Sequence, residues 1–173
     1  MVTSAAPDLP HGAPVSGTLR VLVLNSIYFI GGAERVTFDL ALGLRDMGHH
    51  VVFASLYGAG EMKGRFESGG FPVYERLAGS KFDPRCIGRI RRIAREHEID
   101  AIYLMTQPVT LFWGLIASRL LGLPLVALVS NTVVVREIPK ARLYRWLLPL
   151  VARVIAVGER QRAGPVSYTH LRA

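Results

Sequence analysis

The fold is decided by residues 20–55, which read RVLVLNSIYFIGGAERVTFDLALGLRDMGHHVVFAS. The Val/Leu run at residues 20–25 predicts a buried strand, and the loop after it contains Gly31 and Gly32. Four apolar residues then recur at helical spacing and predict an amphipathic helix whose core-facing side is formed by Val36, Leu40, Leu44 and Met47. Residues 49–55 are a second apolar run. The stretch therefore predicts a strand, a glycine-containing loop, a helix and a second strand.

The same alternation continues along the chain. Further strands are predicted at residues 71–77, 101–105, 125–129 and 154–157, and further helices at residues 85–97, 111–121 and 143–150. The strands lack polar alternation and are separated by helical crossovers, which indicates a parallel sheet that is buried on both faces. We therefore expect an α/β fold, a Rossmann-like parallel sheet of about six strands with helices on both faces, whose ligands bind at the carboxyl edge.

Composition excludes several classes of protein. The 173 residues are 50% hydrophobic and 20% charged, which is typical of one globular domain. The single Cys86 cannot form an internal disulfide or a cysteine-based zinc cluster, and His49 and His50 are expected to begin a strand rather than to bind metal, so we expect neither metal nor cofactor. The net charge of +8 favours a phosphorylated ligand, a nucleic acid or an anionic membrane surface.

The two ends of the chain differ from the domain between them. Residues 1–18 are rich in Ala, Pro, Gly and Ser and are predicted to be a disordered tail rather than a signal peptide. Residues 166–173, VSYTHLRA, resemble the translation of a transposase-type sequencing adapter and are expected to be foreign to the natural protein. The predicted domain is residues 19–165. Its most apolar window, residues 111–129, is interrupted by charge, glycine and proline, which favours a helix and a buried strand over a membrane span.

The loop after the first strand has a distinctive glycine pair. It lacks the three-glycine spacing of dinucleotide-binding proteins and the lysine of a P-loop. Gly31 and Gly32 stand at the start of a helix, where unpaired N–H groups and the helix dipole attract an anion and absent side chains let a phosphate approach. A phosphate site and a tight turn that requires glycine are both compatible with this pattern.

A longer set of motifs resembles glycosyltransferase family 4. The set consists of GGAERV at residues 31–36, GH at 48–49, ID at 99–100, GLP at 122–124 and RVIAV at 153–157. The resemblance extends over most of residues 19–161. It implies the N-terminal half of a two-lobed GT-B enzyme, with the acceptor on this lobe and the nucleotide-sugar held mainly by a C-terminal lobe. This piece alone is then expected to be inactive.

The resemblance also implies roles for single residues. Gly31 and Gly32 would lie beside the donor diphosphate. Many relatives have a histidine after strand five, where this chain has Ser130 and Asn131; neither side chain accepts a proton near neutral pH as imidazole does, so the catalytic residue stays unknown. Transfer with retention is expected to depend mainly on positioning and charge stabilisation.

The acceptor cleft is predicted from residues that follow the strands. The two aromatic residues of the first loop are not needed for strand packing, and the others stand near the carboxyl ends of strands: these candidates are Tyr28, Phe29, Glu34, Thr106, Gln107 and Thr132. Glu34 is equally consistent with a simple partner of the helix dipole, and the polar residues with ordinary loop capping.

The leading prediction is a cytoplasmic glycosyltransferase that moves a sugar from a nucleotide-sugar donor to a lipid-linked or polysaccharide acceptor of the cell envelope. The arginine-rich helix at residues 85–97 would contact an anionic membrane or simply face solvent. The alternative is a stand-alone nucleotide- or anion-binding Rossmann module without catalysis. A nicotinamide-dependent oxidoreductase is disfavoured because Ser55, Leu56 and Tyr57 stand where an acidic ribose partner is expected. Nucleic acid is not an expected partner, because no exposed aromatic residues alternate with the arginines.

Overall fold

The computed structural model describes residues 17–105, 107–129 and 150–156. Within them the chain alternates between strands and helices. The elements are β1 (Arg20–Ile27), α1 (Gly32–Asp46), β2 (His50–Gly58), a 3-10 turn (Gly60–Met62), α2 (Lys63–Ser68), β3 (Val73–Tyr74), α3 (Arg85–Glu96), β4 (Ala101–Met105), α4 (Pro108–Leu121), β5 (Leu125–Val129) and β6 (Arg153–Ala156).

The strands form one parallel sheet in the order β3-β2-β1-β4-β5-β6. The chain builds outward from β1 to the β3 edge and then returns to the other side of β1, where Val21 is in register with Ala101 of β4. The predicted Rossmann-like α/β class is therefore confirmed. The order reverses between β1 and β4, and their carboxyl ends flank the crevice where such sheets bind ligands.

Both faces of the sheet are buried. On one face Leu22 and Leu24 pack with the residues of α3 and α4. On the other face Val23 lies in a second core with the aromatic rings of Phe53 and Phe66, and α1 and α2 cover this face. Adjacent residues of β1 thus enter different cores, which explains why the strands read as continuous apolar runs.

Most predicted boundaries agree with the structure. Strands β4 and β5 begin and end at the predicted residues, and β1 and β2 each extend further toward the carboxyl edge. Strand β3 has only two residues in place of seven, and β6 begins one residue earlier than predicted. The predicted helix at residues 143–150 lies outside the described residues except for its last position.

The predicted core face of α1 is wrong for three of its four residues, whereas the fourth, Leu44, packs against the core. Val36, Leu40 and Met47 are 45%, 41% and 67% exposed, whereas Thr37 and Ala41 are buried. Thr37 and Ala41 are small, so the helix lies close to the sheet on this side. The partly buried Phe38 and Leu44 pack around them. Two apolar stripes run along this helix, and apolar periodicity alone does not choose between them.

The glycine-rich segment at residues 58–70 contains two short helical elements that the sequence analysis did not predict. Met62 and Phe66, one helical turn apart, are almost completely buried. Their burial against the sheet fixes a segment that local propensity leaves undecided, since its glycines disfavour helix. None of the helices in the described ranges combines the length and the apolarity needed to cross a bilayer.

Candidate functional site

The glycine pair lies at the carboxyl edge of the sheet, beside the point where the strand order reverses. Gly31 is the N-cap of α1, with extended backbone at φ −147° and ψ 172°, and its carbonyl accepts a hydrogen bond from the Arg35 amide at 3.1 Å. Both glycines are exposed. A Cβ at Gly32 would have no neighbour within 4 Å. The first turn of α1 therefore has no side-chain cap on its amide groups and presents an open approach to them.

The Glu34 side chain folds back toward this helix start. It is only 8% exposed, and its Oε2 atom lies 2.6 Å from the position that a Cβ would take at Gly31. The carboxylate therefore fills the space that the missing side chain of Gly31 leaves. This geometry agrees with both interpretations of Glu34, because the carboxylate is at the cleft and beside the positive end of the helix dipole.

Tyr28 is not available to an acceptor, which corrects the prediction made for it. Its side chain is fully buried, and its hydroxyl donates to the carbonyls of Val23 at 2.9 Å and Ala54 at 3.1 Å. The ring meets Phe66 edge-on with centroids 4.9 Å apart. Burial is the main cause that raises the pKa of Tyr28 well above its ordinary value, so the hydroxyl remains a donor.

Phe29 and Ile30, the next two residues, do face solvent. They are 54% and 65% exposed, and the Ile30 amide donates to Glu61 Oε2 at 3.4 Å. The 3-10 turn that contains Glu61 therefore contacts the loop after β1. Gly60 there has φ +58°, and a Cβ on it would collide with the carbonyl oxygen of Tyr28. Two large apolar side chains are thus presented to solvent beside the glycine pair.

Polar side chains join the ends of β1 and β4, and two of them were missed by the sequence analysis. Asn25 is fully buried, with its Nδ2 donating to the Ile27 carbonyl at 3.0 Å. Ser26 Oγ donates to Gln107 Oε1, so the first loop is tied to the residue that precedes α4. The signal that could have found Asn25 and Ser26 is their position, since they are the polar pair that interrupts the apolar run of β1 before Ile27.

The other predicted site residues lie outside the described part of the chain. They are Thr106, Ser130, Asn131 and Thr132. The structure brings Gly31, Gly32, Phe29, Glu34 and Gln107 to the same edge of the sheet. In the described ranges, His, Cys, Asp and Glu do not form a group of three or more that could hold a metal ion.

The sequence matches the model of the family described as Glycosyltransferase Family 4 over residues 30–164. No curated protein matches the chain significantly. The fold is similar to solved structures of HepE from Anabaena. The complex with UDP and glucose has 21% identity and a TM-score of 0.69, covering 87% of this chain and 41% of that one.

Two further structures share the fold. A glycosyltransferase from Rickettsia africae has 17% identity and a TM-score of 0.63, covering 84% of this chain and 38% of that one. The UDP-N-acetylglucosamine 2-epimerase of Rickettsia bellii has 13% identity and a TM-score of 0.57, covering 87% of this chain and 42% of that one. The chain thus spans about two-fifths of the length of these proteins.

Proposed function

Because the chain belongs to glycosyltransferase family 4, we propose that it forms the acceptor-side lobe of an enzyme that transfers a sugar from a nucleotide-sugar to a lipid-linked or polysaccharide acceptor. One observation carries the proposal: the start of α1, which has no side-chain cap and has open space over Gly32, lies at the crevice between β1 and β4. HepE, which shares this fold, is solved with UDP and with UDP-glucose. In this proposal residues 19–165 are one lobe of the enzyme.

The donor diphosphate binds at Gly31 and Gly32. The amide groups at a helix start are preformed donors that need no reorganisation when a phosphate arrives. The open space over Gly32 allows a phosphate oxygen to come within hydrogen-bond distance of the backbone, which a larger side chain would prevent. The C-terminal lobe of the whole enzyme supplies the nucleotide and sugar contacts.

The acceptor binds beside the diphosphate, along the same edge. Phe29 offers an exposed apolar surface, and the amide of Gln107, held by Ser26, offers hydrogen bonds to sugar hydroxyls. Thr106 and Thr132 are further candidates from the sequence. Ser130 and Asn131 remain the candidates for contact with the reacting sugar. In this proposal the protein orients the reactants and stabilises charge on the departing nucleotide.

A basic surface on α3 suits peripheral contact with the cytoplasmic face of an anionic membrane. Arg91, Arg92 and Arg95, with Gly88 and Glu96, line a shallow surface cavity of about 480 Å³. All three arginines are exposed, and Arg92 lies 4.0 Å from Glu96 in its ion pair. Each arginine near an anionic surface contributes roughly 1 kcal/mol of attraction. Co-sedimentation with phosphatidylglycerol vesicles should therefore fall when all three become Gln, with phosphatidylcholine vesicles as the control.

The decisive experiment replaces Gly32 by Val in the whole enzyme and measures sugar transfer from labelled UDP-glucose and related donors. We expect loss of transfer without loss of the fold, because the site of the new side chain is empty. Gly43→Val is the matched control, since Gly43 lies in the same helix and a Cβ there also meets nothing within 4 Å. Full activity of the Gly32→Val enzyme would contradict the proposal.

Calorimetry on residues 1–165 separates the transferase from the stand-alone module. A lobe that supplies only part of the donor site binds UDP-glucose weakly by itself and transfers no sugar. Micromolar binding without the remaining lobe would favour the anion-binding module instead.

A further inference from the structure

Glu34 is an acidic residue that is only 8% exposed and has no oppositely charged partner among the described residues. It is the third residue of α1. Among the described residues, the Glu34 side chain forms neither a hydrogen bond nor an ion pair. A carboxylate that loses part of its hydration is stabilised when a positive charge or dipole lies beside it. The positive end of the α1 dipole is the compensation that the geometry offers, since α1 begins two residues before Glu34.

The carboxylate also occupies a particular place. Its Oε2 lies over Gly31, 2.6 Å from where a Cβ would be. The next residue, Gly32, has open space where a Cβ would be, and it is the proposed approach for a diphosphate. Two anions that share one helix start repel each other, and the one already present must move before the second binds fully.

We propose that Glu34 is a resident anion of the α1 N-terminus, which the diphosphate of a nucleotide ligand must displace in order to bind. The inference rests on the proposed function of Gly31 and Gly32 and deepens it. In the unliganded lobe the Glu34 carboxylate lies beside the helix start, where it interacts with the helix dipole without a hydrogen bond to the amide groups. When the ligand arrives, the Glu34 side chain turns away from Gly31 and the phosphate oxygens take its place.

In this arrangement the affinity for the ligand depends on how much more strongly the helix start interacts with the diphosphate than with the Glu34 carboxylate. The net free energy of binding is the interaction with the diphosphate minus the interaction with the carboxylate that it displaces. Glu34 therefore weakens binding of the donor and of the nucleoside diphosphate that is left after transfer. An enzyme of this kind needs to release that product in each cycle. Glu34 therefore favours release at the cost of affinity.

The test uses inorganic pyrophosphate as the probe and isothermal titration calorimetry of the 173-residue chain. Glu34→Gln removes the charge with little change of shape, and we expect it to bind pyrophosphate at least about threefold more tightly. Glu34→Asp keeps the charge but is one methylene too short to lie over Gly31, so its affinity should also increase. Asp39→Asn, an exposed acidic position on the same helix, is the matched control and should leave affinity unchanged.

Thermal unfolding is a second measurement, in which Glu34→Gln should lower stability although it raises the affinity for pyrophosphate. Without ligand, Glu34→Gln should unfold at a lower temperature than the wild type, because the helix start loses its anion. At saturating pyrophosphate the difference should shrink or reverse. If Glu34 has only a structural role, Glu34→Gln lowers the unfolding temperature equally with and without pyrophosphate and does not change the affinity.

Two failures are distinguishable. Equal affinities in the wild type and in Glu34→Gln, combined with loss of binding in Gly32→Val, would overturn the displacement of Glu34 and keep the glycine site. Pyrophosphate binding that Gly32→Val does not weaken would overturn the glycine site and with it the role of Glu34, as would the absence of binding even at millimolar pyrophosphate.

Discussion

The backbone of Gly60 lies against the carbonyl oxygen of Tyr28, so closely that a Cβ has no room between them. Gly60 has φ +58°, in the left-handed region, and begins the turn that leads into α2. The contact joins two loops at the carboxyl edge of the sheet. Tyr28 precedes the glycine pair by three residues, so the contact lies beside the start of α1.

Gly60→Ala should be strongly destabilising. The left-handed backbone costs a non-glycine residue roughly 1 kcal/mol, and the overlap with the Tyr28 carbonyl forces a backbone shift, so we expect a total loss of about 2–4 kcal/mol. Urea unfolding measures it. Gly64→Ala in α2 is the control, because a Cβ there meets nothing within 4 Å and alanine favours helix. Equal stability of the two variants would show that the contact is unimportant.

Tyr28→Phe should lower stability by about 1–2 kcal/mol, because the buried carbonyls of Val23 and Ala54 lose their shared hydroxyl donor. Tyr57→Phe is the comparison, since Tyr57 is 36% exposed, and its effect should be close to zero. Chemical denaturation of both variants checks the difference. An unchanged stability of Tyr28→Phe together with an altered KM for acceptor would restore Tyr28 to the acceptor site.

Phe29→Ala should raise the KM for acceptor in the whole enzyme several-fold while leaving the KM for donor unchanged. The side chain is 54% exposed, so its loss should change the free energy of unfolding by no more than about 0.5 kcal/mol. Leu120→Ala is matched for exposure, at 68%, and lies at the carboxyl end of α4, at the opposite edge of the sheet. If both substitutions affect KM equally, Phe29 has no specific role at the acceptor.

Acid should destabilise the fold through a histidine pair at the amino edge of the sheet. Tyr74 donates to Glu96 Oε1 at 3.0 Å, so its oxygen accepts from His97 Nε2 at 2.8 Å, and His97 Nδ1 then accepts from His50 Nε2 at 3.2 Å. Burial, the His97 imidazole and the Arg20 guanidinium lower the pKa of His50 from its ordinary 6.5. The unfolded chain therefore takes up this proton first, and stability decreases as the pH falls below about 6.5.

Urea midpoints between pH 5 and pH 8 measure this dependence. His50→Gln should flatten it, because this substitution removes the imidazole whose pKa is lowered. A wild-type midpoint that is constant over this range would contradict the expected contribution of His50.

Local chemistry explains why some elements were predictable. Strands β4 and β5 are apolar runs bounded by Asp100 and by Pro124, and these signals lie within a few residues of the strands that they delimit. The glycine pair at the start of α1 was predictable for the same reason. The burial of Tyr28 was not predictable from local sequence. A tyrosine after a strand is buried only if another segment covers it, and Phe66 of α2 does so here.

The sequence by itself determined the parallel α/β class and the position of the glycine pair at a helix start, because these depend on periodicity and on neighbouring residues along the chain. The tertiary structure decided the rest. It placed β1 beside β4, tied Ser26 to Gln107, turned Val36 and Leu40 of α1 to the outside and buried most of the Glu34 side chain. Each of these contacts depends on residues far apart in sequence or on a choice between two apolar stripes, which local patterns do not encode.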